Sequence, residues 1–165
     1  MKLLITAALA SLAISSAAMA QTKPFDFKGL SMQSTPAEVA KLTGKACEND
    51  NIDGEKIAYC DLPKRFLPTL DGKAVEMASV IFDAKGLQLL KVDVTGDQAT
   101  ALFVALDNRY GGFKIRDDLY TWDFDEGRMT LYRDRVNGHT ITCVLFVRAD
   151  QLKDAEPATA KPADF

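Results

Sequence analysis

The clearest hydrophobic period in the chain lies in residues 97–112. Apolar side chains recur there at i, i+3, i+4, i+7 and i+11, at Ala99, Leu102, Phe103, Leu106 and Tyr110. This spacing places them on one stripe of a helix. Asp97 is expected to cap the first turn, and Gly111 to end the helix in a left-handed conformation. The segment therefore predicts an amphipathic helix that packs on a sheet.

A shorter helix is predicted upstream, from Thr35 onward. Thr35 is expected to be the N-cap residue, Pro36 occupies the first helical position, and Glu38 completes a capping box. Val39 and Leu42 supply a narrow apolar stripe. A helix of about two turns is too short to be stable alone, so it must pack against the rest of the domain.

Period-2 alternation of apolar and polar residues predicts strands on both sides of the long helix. They lie at residues 56–61, 74–82, 87–94, 119–124, 129–135 and 139–148. The sequences at 83–86 and 137–138 are typical of hairpin turns. The acidic stretch between Cys47 and the first of these strands is expected to be a loop.

The order of these elements predicts an α+β fold. In it, an antiparallel sheet is covered on one face by one short and one longer helix. Residues 35–94 and 97–148 each read as a helix followed by about three strands, which predicts an αβββ–αβββ pseudo-repeat. Side-chain identity between the two halves is slight.

The first 20 residues have the pattern of a secretory signal peptide. Lys2 gives a positive start, an apolar run follows, and Ala18-Met19-Ala20 is a typical cleavage site. Gln21 and not cysteine follows the cut, so no lipid anchor is expected. The predicted organisation is a signal peptide at 1–20, one domain at 21–150 and a disordered, charged tail at 151–165. The mature protein is expected to be periplasmic or secreted.

The charge of the mature chain excludes some classes of partner. The sequence has 20 basic and 23 acidic residues, for a net charge of −3, and loss of Lys2 makes it −4. Nucleic-acid-binding proteins favour a basic face, and anionic lipid attracts basic segments. The chain is therefore not expected to bind nucleic acid or to hold a stable membrane anchor.

Three cysteines lie in the predicted mature chain, at Cys47, Cys60 and Cys143. In an oxidising compartment two of them are expected to pair. Of the three pairings, Cys47–Cys60 is favoured because it closes a short loop around a polar segment. Cys143 alternates with apolar residues of its strand, so it is expected to be a buried free thiol. A reactive thiol is the alternative, but no CxxC motif or neighbouring histidine supports it.

Two features are candidate chemical sites. Asn49, Asn51, Asp53 and Gly54 match positions 1, 3, 5 and 6 of a calcium loop, but position 12 is Cys60 where a bidentate glutamate is needed. His139 is the only histidine, and no motif brings partners to it. No catalytic signature is present. The sequence therefore predicts no metal, no cofactor and no enzyme activity.

The aromatic residues of the strand at 119–124 have two interpretations. Tyr120, Trp122 and Phe124 share one face of that strand. The favoured interpretation is that this face packs under the long helix, because large exposed apolar patches are uncommon on monomers. The alternative is that Tyr120, Trp122 and Tyr132 form an exposed patch that binds a partner, since such residues dominate interface hot spots.

The residues at 27–30 and 35–39, followed by Leu42, form a pattern of an aromatic residue, Gly-Leu and a capped short helix. It resembles the start of the SmpA/OmlA outer-membrane assembly lipoproteins and of β-lactamase-inhibitor-like domains. The resemblance implies short helices packed on an antiparallel sheet and a role in protein–protein binding. The lipoproteins carry an acylated cysteine where this chain has Gln21, so anchoring does not carry over. It transfers no functional residue.

These observations predict an exported, non-catalytic binding or accessory protein that contacts a protein of the cell envelope. The alternative is a small-molecule or metal-binding periplasmic protein, or an enzyme whose site the sequence does not reveal.

Overall fold

The computed structural model describes residues 24–52, 54–116 and 119–152. The predicted signal peptide and nearly all of the predicted tail lie outside these residues. Gln151, predicted as the first residue of the tail, ends a short 3₁₀ turn at Ala149–Gln151. Within the described part of the chain, neither helix is long and apolar enough to cross a membrane.

The described residues form an α+β fold, with two α-helices and a large antiparallel sheet. The helices are α1 (Pro36–Thr43) and α2 (Ala99–Tyr110). The strands are β1 (Glu48–Ile52), β2 (Glu55–Asp61), β3 (Thr69–Leu70), β4 (Lys73–Asp83), β5 (Gly86–Thr95), β6 (Lys114–Arg116), β7 (Leu119–Phe124), β8 (Gly127–Val136) and β9 (His139–Arg148). All six predicted strands are present with bounds within two residues, and β1, β3 and β6 are additional.

The main path of the sheet runs β1-β2-β4-β5-β9-β8-β7-β6, and β3 pairs with β4 beside it. Every neighbouring pair is antiparallel. The two central strands, β5 and β9, come from opposite sides of α2 in the sequence. Their pairing joins the first half of the chain to the second half in a single sheet.

Helix α1 begins as its sequence predicts. Thr35 Oγ1 accepts the Glu38 amide at 3.3 Å, and Glu38 Oε2 accepts the Thr35 amide at 2.8 Å, which completes the capping box. Val39 is fully buried, but the Leu42 side chain is 50% exposed. The predicted stripe is therefore wrong at Leu42, because the two-turn helix buries Val39 and Thr43 instead.

Helix α2 also has the predicted stripe. Its residues Ala99, Leu102 and Leu106 are buried, and two aromatic residues of the stripe pack partly buried against the core. The N-cap residue is Gln98, whose amide donates to Thr142 Oγ1 at 2.8 Å. Asp97 contributes to the cap as predicted: its Oδ1 accepts the Ala99 amide at 3.4 Å, and the same carboxylate pairs with Arg133 at 2.9 Å.

The predicted acidic loop after Cys47 is largely a hairpin. Asn49 of β1 is paired opposite Ala58 of β2, and Ile52 opposite Glu55. Every residue of β1 is exposed, so the strand has no apolar period by which the sequence could reveal it. Asn51 lies in the same strand, so two of the four calcium-loop positions belong to a β ladder.

The Cys47–Cys60 disulfide is present, with the two Cα atoms 4.3 Å apart, and this prediction is confirmed. Cys60 is part of the buried core, so the bridge ties the end of the α1 segment to strand β2. Cys143 is free and buried, as its strand pattern predicts.

Removing this bridge is expected to lower the free energy of unfolding by about 3 kcal/mol, because it closes a loop of the length for which the chain-entropy model gives that value. Urea titration of Cys47→Ser/Cys60→Ser against wild type measures the difference. Reductant should destabilise wild type and leave the double variant unchanged. A thiol count other than one in the unreduced, denatured wild type would contradict the pairing.

The alternation of side chains along the strands gives the sheet two distinct faces. One, here called the core face, carries cross-strand neighbours such as Val92, Val144 and Leu131. These residues belong to a single buried cluster that also contains Val39 of α1 and Leu102 of α2. The opposite face, called the Cys143 face, carries a second set of buried residues outside that cluster, namely Ile141, Cys143 and Val147.

Candidate functional site

The Cys143 face is built from rows of cross-strand neighbours on β4, β5, β9 and β8. The central row is Met77, Asp93, Cys143 and Tyr132. The rows beside it are Ser79, Lys91, Leu145 and Thr130, then Ile81, Leu89, Val147 and Arg128. Several apolar members of these rows are only partly buried, including Ile81, Leu89 and Leu145. The face is therefore mainly apolar, with a small polar group at its centre.

The polar group is centred on Asp93. Its side chain is 5% exposed, and Oδ2 accepts a hydrogen bond from Lys91 Nζ at 2.9 Å. Oδ1 has no hydrogen-bond partner within the described residues. Burial favours the neutral amine of Lys91, but the Asp93 carboxylate holds the pKa of this lysine above its ordinary value. The ion pair thus gives the buried Asp93 carboxylate a partly exposed lysine as its partner.

Cys143 lies directly opposite Asp93 in the ladder between β5 and β9. Burial, followed by the Asp93 carboxylate, raises the pKa of its thiol to about 12. Burial and the neighbouring Cys143 also raise the pKa of Tyr132. Both groups are therefore protonated at neutral pH, and a protonated thiol is neither a nucleophile nor a metal ligand. The geometry does not favour the reactive-thiol alternative.

Positive charge is concentrated at the β6–β7–β8 side of this face. Lys114, Arg116 and Arg128 surround Asp123 with N···O distances of 2.8, 3.0 and 2.9 Å. Burial opposes ionisation of Asp123, but hydrogen bonds from Lys114 and Arg128 lower its pKa to about 2. One carboxylate cannot neutralise three cations, so the cluster of these four side chains keeps an excess of positive charge.

The opposite side of the sheet is acidic. Glu48 and Asp50 lie on β1, paired opposite Tyr59 and Ile57 of β2, and all residues of β1 are exposed. Following the register from strand to strand places these two carboxylates on the Cys143 face. The face is thus acidic at one edge, apolar in the middle and basic at the other edge.

The three residues of the alternative aromatic patch do not share one face of the sheet. Trp122 is 1% exposed, which confirms its core interpretation, and its ring centroid lies 6.1 Å from that of Phe103 on α2. Tyr120 also packs against Phe103. Because Leu131 is the partner of Tyr120 in the ladder, the next residue, Tyr132, lies on the opposite face. Partner binding by Tyr120 or Tyr132 stays a prediction.

Two shallow depressions lie on the surface. One, of about 240 Å³, is lined by residues that include Tyr120 and Tyr132 but not Trp122. The other, of about 250 Å³, lies between the segment at Phe27 and Leu106 of α2. Both are smaller than the roughly 300–1,000 Å³ of typical ligand pockets. Their size is more consistent with surface relief than with a small-molecule site.

His139 begins β9 as an exposed residue opposite Val136. In the described part of the chain, no three histidine, cysteine, aspartate or glutamate side chains converge to hold a metal ion.

Sequence reasoning missed the pair of Lys91 and Asp93. A signal was present: two opposite charges at i and i+2 in an otherwise apolar strand share one face and can pair. It did not reveal that Cys143 would lie beside them.

No protein-family model, curated protein or solved structure matches this chain.

Proposed function

We propose that this protein is an exported, non-catalytic binding protein of the periplasm, and that it contacts a protein partner in the envelope through the Cys143 face. One observation carries the proposal: partly exposed apolar side chains lie side by side on adjacent strands of that face, outside the buried core. Ile81, Leu89 and Leu145 are the main ones. Apolar surface of this kind is typical of protein contact sites.

We also propose that both helices, α1 and α2, lie on the core face of the sheet. It is supported by the buried cluster, in which Val39 of α1 and Leu102 of α2 join core-face residues such as Val80. It is also supported by the ring contacts of Phe103 with Tyr120 and Trp122. With both helices on the core face, neither of them covers the Cys143 face.

A pseudo-repeat is part of the same proposal. The strand path is consistent with a repeat of four strands in each half, where the sequence predicted about three: from β5 outward it reads β4, β2, β1, and from the paired β9 outward it reads β8, β7, β6. A helix precedes each set of strands in the sequence. The resemblance to SmpA/OmlA and β-lactamase-inhibitor-like modules, which act by protein–protein binding, remains a hypothesis that agrees with this layout.

The proposed location is supported by two features. The sequence at 1–20 has the signal-peptide pattern, and the Cys47–Cys60 disulfide is the kind of bond that persists in oxidising compartments such as the periplasm.

The test is co-purification from periplasmic extract with wild type and Leu89→Ser/Leu145→Ser. We expect wild type to enrich one envelope protein, and the double variant to retain about a tenth or less of it, because central apolar contacts dominate interface energy. Leu42→Ser/Val104→Ser is the matched control, because it removes one exposed apolar side chain from each helix. Equal capture by all three proteins, or no enrichment by wild type, would refute the proposal.

A further inference from the structure

The two ends of the sheet are open strand edges. In the described residues, β1 pairs only with β2, and β6 pairs only with β7. Every residue of both strands is exposed. Each edge therefore presents unpaired backbone N–H and C=O groups that can accept a further strand.

The number of strands sets the directions of these two edges. Eight strands lie on the main path, and each neighbouring pair is antiparallel. Because the count is even, β1 and β6 run in opposite directions. A second copy placed beside the first in the same orientation therefore presents its β1 antiparallel to β6, and the sheet continues across the contact.

The charges of the two edges are complementary. β1 carries Glu48 and Asp50, and β6 carries Lys114 and Arg116. Following the register through Thr121 and the strands beyond it places the two basic residues on the Cys143 face, as it does the two acidic ones. In a β6–β1 pair the four side chains thus become cross-strand neighbours of opposite charge, an arrangement that stabilises a sheet.

The same charges oppose the symmetric alternatives. Pairing β1 with β1 would bring four carboxylates together, and pairing β6 with β6 would bring four cations together. Like charges on neighbouring strands destabilise a ladder. Charge therefore selects the contact between unlike edges.

We propose that this protein self-associates head to tail, with β6 of one copy paired antiparallel to β1 of the next. Asp123 keeps Arg128 as its partner when Lys114 and Arg116 turn toward the neighbouring copy. The contact is small, because β6 has only three residues, so the association is weak and sensitive to salt. The site differs from the apolar centre of the Cys143 face and does not depend on the proposed function.

Charge reversal tests the proposal by analytical ultracentrifugation. Glu48→Lys/Asp50→Lys makes both edges basic, and Lys114→Glu/Arg116→Glu makes both acidic. At low salt, we expect wild type to associate more as its concentration rises. Each variant alone should associate at least about tenfold more weakly than wild type. An equimolar mixture of the two variants should regain the wild-type association, because every contact between unlike variants is again complementary.

Lys41→Glu/Lys64→Glu is the matched control, since it changes net charge as much as the β6 variant does, at exposed positions outside both edge strands. It should associate like wild type. If wild type stays monomeric at all concentrations, the proposal is wrong. The charges on β1 and β6 would then serve to prevent these edge strands from pairing with another strand. A mixture that stays monomeric while both variants are folded by circular dichroism would overturn the proposal too. Leu89→Ser/Leu145→Ser should associate normally, which separates this test from that of partner binding.

Discussion

Replacing Trp122 by alanine is expected to lower the free energy of unfolding by about 3–5 kcal/mol, the usual cost of deleting a large buried aromatic side chain. Trp122 is the only tryptophan, and its ring lies in the core beside Phe103. Urea titration followed by circular dichroism measures the loss. In wild type, the buried indole should resist quenching by iodide until the protein unfolds.

Two further variants make this result specific. Trp122→Phe is expected to cost much less, because it keeps most of the apolar contact and removes an indole N–H that has no acceptor among the described residues. Ile115→Ala is the surface control, since Ile115 is 65% exposed and should change stability by about 0.5 kcal/mol or less. If phenylalanine proves as costly as alanine, the indole N–H has a partner, and the packing described here is wrong.

Local signals explain why both helices could be predicted from sequence. The capping box of Thr35 and Glu38 lies within four residues, and the stripe that includes Leu102 and Leu106 lies within a few turns. Such features need no knowledge of distant partners. At the start of α2, the contact of Asp97 with the Ala99 amide is local in the same way, but the hydroxyl of Thr142 could not be predicted, because it comes from a strand far along the chain.

The edge strands show the opposite case. The apolar period that reveals a strand comes from burying one of its faces. β1 buries neither, so its sequence is typical of a loop although its backbone is paired. The Cys47–Cys60 bridge could be predicted because the two cysteines are close in the sequence and close a short loop. The hairpin formed by the residues between them could not be predicted.

The candidate site depends on strand pairing between distant parts of the sequence. Lys91 and Asp93 could be recognised as a same-face pair, but Cys143 joins them only because β5 pairs with β9. That pairing determines which residues of the two strands are neighbours on each face. The alternation of apolar and polar residues within one strand does not predict which strand will lie beside it. The separation of Tyr132 from Trp122 has the same origin, because the ladder of β7 and β8 assigns them to opposite faces.

A second large effect is expected at the ion pair of Arg148 and Asp83. Arg148 binds Asp83 through two hydrogen bonds, one of them from an Nη atom to Oδ1 at 2.9 Å. The two side chains are only 12% and 10% exposed. Arg148 also donates to Asp150 at 2.7 Å, and Asp83 accepts the Lys85 amide at 2.8 Å. The network fixes the β4–β5 turn to the end of β9.

Asp83→Asn is expected to lower the free energy of unfolding by about 2 kcal/mol, because it leaves the buried Arg148 charge with only the more exposed Asp150 as its carboxylate partner. Arg148→Met should cost a similar amount. The double variant should cost clearly less than the sum of the two, since neither charge is then left alone. Lys45→Met, which breaks the exposed pair with Asp61, is the control and should cost clearly less than either single variant. Additive losses would contradict a coupled pair.

The same network should make stability depend on acid. Hydrogen bonds from Arg148 lower the pKa of Asp83, and those from Arg148 and Lys85 lower the pKa of Asp150 to about 2. A carboxylate whose pKa is lower in the folded state stabilises the protein fully above its unfolded value of about 3.9, and loses that contribution as the pH falls toward the folded value. Wild type should therefore lose stability from about pH 5 toward pH 2. Urea titrations at pH 6, 4 and 3 should show a smaller loss for Asp83→Asn, and equal losses would show that the Asp83 carboxylate is not held in the ion pair.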